Sequence, residues 1–425
     1  MGNPIKPIPN TAILVIILSI KKMFLKNKNK KTKNQNKISY SLNLNKTISN
    51  LSKVSLINIG LGLFFVPSLF AQNVPLKPVD SLPMEVLDQQ ILSRDRQSLI
   101  RAVDHSLRYL NTESSRKAYE NYNVPGFTRE RVIASLRRFR ELVATSHSSA
   151  QLQQAIEREF RFYRSVGHDG DGTVHFTGYF QPIYRASRQR TDEFRYPLYR
   201  KPSNFDSWNK PHPTRAQLEG VDGRGTDSVI KGNELVWLGD RLEAYLVQVQ
   251  GSAELQLTNG QTMTIGFNGA TDYPYVSLGR ELINDGKVPA EEMSLPRLMQ
   301  YLESNPDELS VYLPRNNRFI FFNETGGQPP MGSLNVPVTD ERSIATDKSI
   351  MPPGALALIH TRIPQVNRDG QMTTPVTSRY VLDQDTGSAI RGAGRVDIFF
   401  GTGDIPKAQA GLVDWDGDLF YLLLK

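Results

Sequence analysis

An aspartate at the end of a strand-like run, followed by a glycine turn, can hold a carboxylate at a fixed angle over a cleft. The run Arg379-Tyr-Val-Leu-Asp-Gln leads into Asp385-Thr386-Gly387-Ser388. A glycine-rich connection, Ala389-Ile-Arg-Gly-Ala-Gly-Arg, then enters a second β-like run containing Asp397. Two carboxylates twelve residues apart, on strands joined in this way, can lie close together. Like charges at short range raise one of the two pKa values, which keeps a carboxylic acid protonated near neutrality. Arg391 and Arg395 act in the opposite sense by favouring the charged forms. Both aspartates also read as turn caps, so local sequence leaves the choice open.

Two further clusters suit a polysaccharide. Gln248-Val-Gln250-Gly251-Ser252-Ala253 follows the apolar run Ala244 to Val249, which reads as a strand. Alternation along a strand would put Gln248 and Gln250 on one face. Amides there offer donors and acceptors to sugar hydroxyls, although a solvated strand edge has the same pattern. Phe176-Thr-Gly-Tyr179-Phe-Gln181-Pro182-Ile-Tyr184 interleaves rings with polar groups. That suits stacking on sugars, and equally a core strand followed by a turn.

Several chemistries are excluded. The chain has no G-x-x-x-x-G-K-[ST], H-E-x-x-H or G-x-S-x-G pattern. The six histidines are scattered, and there is no cysteine. Disulfides, thiolate metal sites and a cysteine nucleophile are therefore excluded, and neither metal nor cofactor is expected. The Asp-Gly-rich stretches His168 to Gly172 and Asp414 to Asp418 lack the terminal glutamate of an EF-hand and read as turns.

The elements that must position these groups follow from periodicity. Leu99, Ile100, Val103, Leu107 and Leu110 recur at helical spacing, as do Val132, Ile133, Leu136, Phe139, Leu142 and Val143. Ile156, Phe160 and Tyr163 predict a third helical face, and 276–285 and 295–305 two later helices. From Thr173 onward, short β-type runs dominate, broken by Gly and Pro. They include 174–180, 235–238, 244–249, 261–267, 318–322, 355–359, 379–382 and 396–400. The fold class is mainly β with N-terminal helices, and the absence of alternating βαβ units argues against a doubly wound sheet.

The first 72 residues carry eleven of the 51 basic residues and none of the 43 acidic ones. The remainder holds 40 basic against 43 acidic residues, so the high pI belongs to the leader and gives no argument for nucleic-acid binding. A basic stretch, the apolar run Val54 to Phe70 and Ala71-Gln72 form a secretory signal. An uncleaved membrane anchor is the alternative. Residues 73–90 read as a polar linker. Export to the periplasm or cell envelope is expected, without a cysteine lipid anchor.

Taken in order, the clusters resemble the membrane-bound lytic murein transglycosylase A family. The matching pieces include Phe176-Thr-Gly-Tyr-Phe-Gln-Pro, Tyr196-Pro-Leu-Tyr, Thr214-Arg, Leu235-Val-Trp-Leu, Val249-Gln-Gly-Ser-Ala and Gly266-Phe-Asn-Gly. Further along are Arg318-Phe-Ile-Phe-Phe, Pro352-Pro-Gly-Ala-Leu and Asp385-Thr-Gly-Ser-Ala-Ile-Arg-Gly through Arg395-Val-Asp-Ile-Phe-Phe-Gly. The resemblance implies a double-psi β-barrel catalytic domain, 91–185 plus 300–425, with a smaller β-barrel, 186–299, inserted. It implies non-hydrolytic cleavage of the MurNAc-β-1,4-GlcNAc bond of peptidoglycan to give 1,6-anhydro ends. It makes Asp397 the essential acid and Asp385 its neighbour. Tyr179, Gln181, Gln248, Gln250, Gly251, Ser252, Asn268 and Arg395 become the candidate substrate-binding residues. The expected partners are peptidoglycan strands and no nucleic acid; loose association with membrane or cell-wall proteins is allowed for, and a monomer is expected. A dimeric aspartic protease built on the single Asp-Thr-Gly, and a non-catalytic wall-binding protein, are the competing readings.

Overall fold

The computed structural model describes residues 74–83, 86, 88 and 95–425. The expected secretory leader, 1–72, lies outside the described residues. By contacts, Val74–Gln365 and Thr373–Lys425 form one unit, which holds everything below. In the other unit the described residues 366–372 make a turn. There Asn367 Oδ1 accepts from the amides of Asp369 at 3.0 Å and Gln371 at 2.8 Å.

Part of the expected linker is ordered: Leu76–Val79 is a strand (β1). Helices α1 (Arg96–Leu110), α2 (Glu113–Glu120), α3 (Arg129–Thr145) and α4 (Ser149–Glu159) follow. Thr112, Thr128 and Ser148 each accept a backbone N–H two or three residues into the next helix, satisfying an otherwise unpaired donor. The predicted apolar stripes are those that bury. Leu99, Val103 and Leu110 of α1 and Leu136, Phe139 and Val143 of α3 lie in the main core. The third predicted helix is shorter than its pattern. It ends at Glu159, and Phe160 and Tyr163 belong to β2 (Phe160–Ser165), where both are buried although they lie on opposite faces of the strand.

Next come β3 (Val174–Gln181), β4 (Ile183–Ser187), β5 (Tyr196–Tyr199), α5 (Arg215–Glu219) and β6 (Glu234–Leu238). Then follow α6 (Arg241–Gln250), β7 (Ser252–Leu257), β8 (Thr262–Ala270), α7 (Leu278–Asn284), α8 (Leu295–Ser304) and β9 (Ile320–Glu324). The C-terminal part contains β10 (Ser343–Ala345), β11 (Leu356–Arg362), β12 (Val376–Asp385), β13 (Arg395–Thr402), α9 (Asp404–Ala410) and β14 (Asp414–Leu424). The strand expected at 244–249 is therefore the helix α6. Its apolar residues fit either period, but Asp240 accepts from the Glu243 amide at 2.9 Å and Gly251 closes the helix at φ 80°.

These strands form two sheets. One has eight strands in the order β1-β2-β14-β11-β12-β10-β13-β3, and β14 also pairs with β3. The other has six, ordered β5-β6-β4-β7-β8-β9. Each has its own apolar core: Val396, Ile398, Leu358 and Phe420 are among the residues filling the first, and Val236, Leu255, Ile265 and Phe322 the second. The chain passes from one sheet to the other at Gln181–Ile183 and returns between β9 and β10.

Candidate active site

The short strand β10 sets the geometry. Ala345 is the register partner of Asp385 on β12 and of Asp397 on β13. Residues directly opposite one another in a sheet project to the same face, so the two aspartates flank one alanine. The strand is firmly held. Arg342, wholly buried just before it, is ion-paired to Asp88 at 3.2 Å and Asp95 at 2.6 Å and donates to the Tyr380 carbonyl at 2.7 Å. Ser343 Oγ donates to Gln384 Oε1 at 2.6 Å, and Gln384 Nε2 donates to the Ala102 carbonyl at 2.7 Å, tying the acid strand to α1. Buried Asp383 accepts from Tyr421 at 2.7 Å and from Thr346 at 2.8 Å, and is ion-paired with Lys348.

Beside β13 runs β3, parallel to it, with Asp397 opposite Thr177. The Thr177 hydroxyl donates to Asp397 Oδ1 at 2.8 Å and accepts from Arg395 Nη2 at 3.2 Å. Its single proton is thereby aimed at the aspartate. No other hydrogen bond to Asp397 is made among the described residues, which leaves Oδ2 available. Burial pushes the Asp397 carboxyl up to about 6. The Thr177 hydrogen bond and the Arg395 charge oppose that rise, and the Asp385 charge adds to it.

Asp385 is placed differently. Its Oδ2 accepts from the Tyr179 hydroxyl at 2.7 Å, and its Oδ1 accepts from the amides of Ser333 and Thr386, both at 2.8 Å. Burial raises its pKa too, against those hydrogen bonds. Both oxygens are engaged, so Asp385 is fixed rather than free to move. It faces Asp397 across one strand, not a second Asp-Thr-Gly turn.

Thr177 and Tyr179 are brought to the site by a glycine. A Cβ on Gly178 would lie 2.8 Å from the Ala410 Cα, so only glycine lets β3 pack this closely on α9.

The aspartate opens into a cleft of about 740 Å³. Its floor includes Thr177, Tyr179, Asp397 and Arg395, and the 387–391 turn forms one side. The opposite wall comes from the stretch between the sheets: Arg215, Gln248, Gln250, Tyr275, Arg280 and Arg318 among others. Gln250 Oε1 accepts from the Phe180 amide at 3.0 Å, clamping α6 to β3 beside Tyr179. Gln248 Oε1 accepts from Arg215 Nη2 at 3.0 Å and from the Ile320 amide at 3.2 Å. Arg215, 1 % exposed, also pairs with Glu219 at 3.0 Å.

Of the residues singled out in the sequence, Asp397, Tyr179, Gln248, Gln250 and Arg395 line this cleft, and Asp385 sits behind it. Gln181, Gly251, Ser252 and Asn268 do not line it. Gln181 is buried and accepts from Thr402 Oγ1 at 3.0 Å, Gly251 ends α6, and Ser252 opens β7. Asn268 is exposed on β8. The two glutamines share a helix rather than one strand face, so they project in different directions. Thr177, Arg215 and Arg318 were not singled out. Thr177 was visible as the polar residue between two aromatic ones, but its role depends on pairing with β13.

Among the described residues no group of acidic residues or histidines is arranged to hold a metal ion, and no helix is long and apolar enough to cross a membrane.

Residues 175–323 match the MltA-specific insert domain, and 342–423 match the 3D domain. Both aspartates fall in the second region, and the opposite wall falls in the first. The structure is similar to a membrane-bound lytic murein transglycosylase from Agrobacterium tumefaciens, with a TM-score of 0.64 and 25% identity over 82% of this chain and 97% of that one. It shares its fold with an E. coli structure containing bound chitohexaose, with a TM-score of 0.63 and 24% identity over 82% and 94% of the two chains. In sequence, it is 32% identical to membrane-bound lytic murein transglycosylase A of Vibrio cholerae over 58% of this chain. That match spans 64% of the relative, a little under two thirds of its length. The corresponding protein of Escherichia coli K12 is 30% identical over 61% of this chain and 68% of its own length. On that likeness, the chain belongs to the membrane-bound lytic murein transglycosylase A family.

Proposed function

We propose that this chain is a lytic transglycosylase of the cell envelope, cleaving the MurNAc-β-1,4-GlcNAc bond of peptidoglycan without water, with Asp397 as its acid. The observation that carries the reading is the environment of Asp397. This half-buried carboxyl opens to a cleft, is held at one oxygen only and is protonated up to about pH 6.

The glycan strand lies along the cleft between the two walls. With Thr177 occupying Oδ1, the acid proton resides on Oδ2 and passes to the glycosidic oxygen as the bond to C1 breaks. The leaving GlcNAc departs with that proton as a free 4-hydroxyl. An oxocarbenium-like centre forms at C1 of the muramic acid. The C6 hydroxyl of the same sugar closes on it, and its proton returns to Asp397, leaving the enzyme as it began. One carboxyl serves as acid and then as base, where a hydrolytic glycosidase divides the work between two. Asp385 tunes the proton affinity of Asp397 by its charge. Tyr179, Gln248, Gln250 and Arg395 hold the strand.

Around this site we infer a two-domain plan. The β14–β3 pairing returns the larger sheet to its start, which supports a closed double-psi β-barrel, with the 183–324 sheet as the inserted domain. Export through the N-terminal leader accounts for an envelope location.

The test is incubation of the protein with purified sacculi, followed by mass spectrometry of the soluble products. Anhydro-muropeptides from the wild type and none from Asp397→Asn are expected. Reducing-end sugars in their place would mean a hydrolase, and cleaved peptides a protease. Strands that are bound but left intact would mean a non-catalytic protein.

A further inference from the structure

The cleft carries more positive charge than the chemistry above uses. Five arginines line it, at 215, 280, 318, 391 and 395, with only Glu281 and Asp397 as carboxylates. Arg215 is neutralised by Glu219 at 3.0 Å, and Glu281 faces Arg315 at 2.9 Å. Arg395 keeps its charge but is placed beside the acid, donating to Thr177 and acting on Asp397, and so is counted with the acid rather than with the wall. Three guanidiniums remain over an aspartate that is neutral in its working state.

These three are poorly matched from within. Arg280 is exposed and forms no ion pair among the described residues. Among the described residues the Arg318 side chain donates only to the carbonyls of Thr271 and Tyr273, each at 3.3 Å. Arg391 is 68 % exposed and comes no nearer than 3.8 Å to Asp347. Burial lowers the pKa of Arg318, and the charge of Arg391 lowers it further. Cations that repel one another in a partly desolvated cleft are a standing electrostatic cost, relieved when an anion enters. Uncharged sugar rings cannot relieve it. A carboxylate can, because it matches the planar guanidinium fork in shape and charge.

We propose that Arg280, Arg318 and Arg391 form a carboxylate-binding subsite for the acidic groups that hang from the glycan. The inference rests on the lytic transglycosylase reading and names what else of the substrate that site holds. Two sources share this chemistry: the free carboxylates of a peptide stem, and the lactyl carboxylate exposed where a stem is missing. Arg391 is on the 387–391 turn and the other two are on the opposite wall, so the subsite draws on both sides of the cleft.

The experiment is calorimetric titration of the full chain carrying Asp397→Asn, so that no ligand is consumed. Three ligands of hexasaccharide length are compared: chitohexaose, peptidoglycan strands stripped of stems, and strands with stems intact. At least one carboxylated ligand is expected to bind about tenfold more tightly than chitohexaose, the worth of one charge-assisted hydrogen bond. Raised salt should shrink that advantage. An advantage seen only with stems identifies the stem carboxylates, and one already present without them identifies the lactyl group. Adding Arg280→Gln and Arg391→Gln, both at exposed positions, should reduce the advantage to within about twofold of chitohexaose. Equal affinities for all three ligands overturn the proposal, and so does an advantage that survives those substitutions. Failure of the enzymatic reading would appear separately, as wild-type protein that prefers carboxylated strands yet releases no anhydro ends.

Discussion

Replacing Asp397 by Asn should make the protein more stable at neutral pH, and by an amount that depends on pH. Asn keeps the shape and still accepts from Thr177 at Oδ1, so the 2.8 Å hydrogen bond survives. It cannot ionise. In the native protein the Asp397 carboxyl is raised from 3.8 to about 6. A raised carboxyl favours the folded state fully below 3.8, and that contribution is lost as pH climbs through about 6. The rise corresponds to about 3 kcal/mol at about 1.4 kcal/mol per pH unit. Urea unfolding of both proteins, followed by tryptophan fluorescence from pH 3.5 to 7.5, measures it. The stability of the variant relative to wild type should increase by about 3 kcal/mol across that range, most of it between pH 4 and 6. Asp385 titrates in both proteins and largely cancels from the comparison. A difference that stays flat, or falls with pH, would refute the view that burial holds this proton.

The same titration governs rate: kcat/KM for anhydro-muropeptide release should decline above about pH 6, as Asp397 loses its proton. In Thr177→Val, which keeps the β-branched shape but removes the donor to the charged form, that alkaline limb should move up by about one pH unit. Arg215→Met leaves the Glu219 carboxylate buried without its 3.0 Å partner. It should cost about 3–5 kcal/mol in chemical denaturation. Gly178→Ala places a Cβ 2.8 Å from the Ala410 Cα. It should lower stability by about 1–3 kcal/mol and reduce activity more than an alanine elsewhere on β3, since Thr177 and Tyr179 shift with the strand.

The acid pair was legible because a strand, a glycine turn and a second strand are all local signals. Which acid carries the proton was not. That depends on Thr177, Tyr179 and Ser333, which reach the aspartates from more than fifty residues away. Ala345, the residue between them, lies in a three-residue strand with no pattern of its own. The apolar run at 244–249 fits a strand as well as a helix, and the deciding signs, Asp240 and Gly251, sit outside it. Gln248 and Gln250 reached the cleft even so, from a helix. Gln181 satisfied the aromatic-polar pattern and shares the alternation of Thr177 and Tyr179, but at the end of the strand, where the pairing with β13 shifts register, it is buried and accepts from Thr402. The arginines could not be found by spacing, because 280, 318 and 391 come to line one cleft only after the chain has left one sheet and returned to the other.

The position of Ala345 has one more consequence. The distance between the two acids is set by backbone ladders on either side of a single small residue, inside the 342–423 segment. The far wall of the cleft belongs to the 175–323 segment. On the proposed reading, the spacing of the acids and the far wall therefore reside on different stretches of chain, while Thr177 and Tyr179 of the 175–323 segment reach across to hold the acids. Exchanging side chains on the far wall changes what is held without resetting the spacing of the blades. Lineages, or engineers, can thus explore new wall chemistries while the cutting edge stays the same.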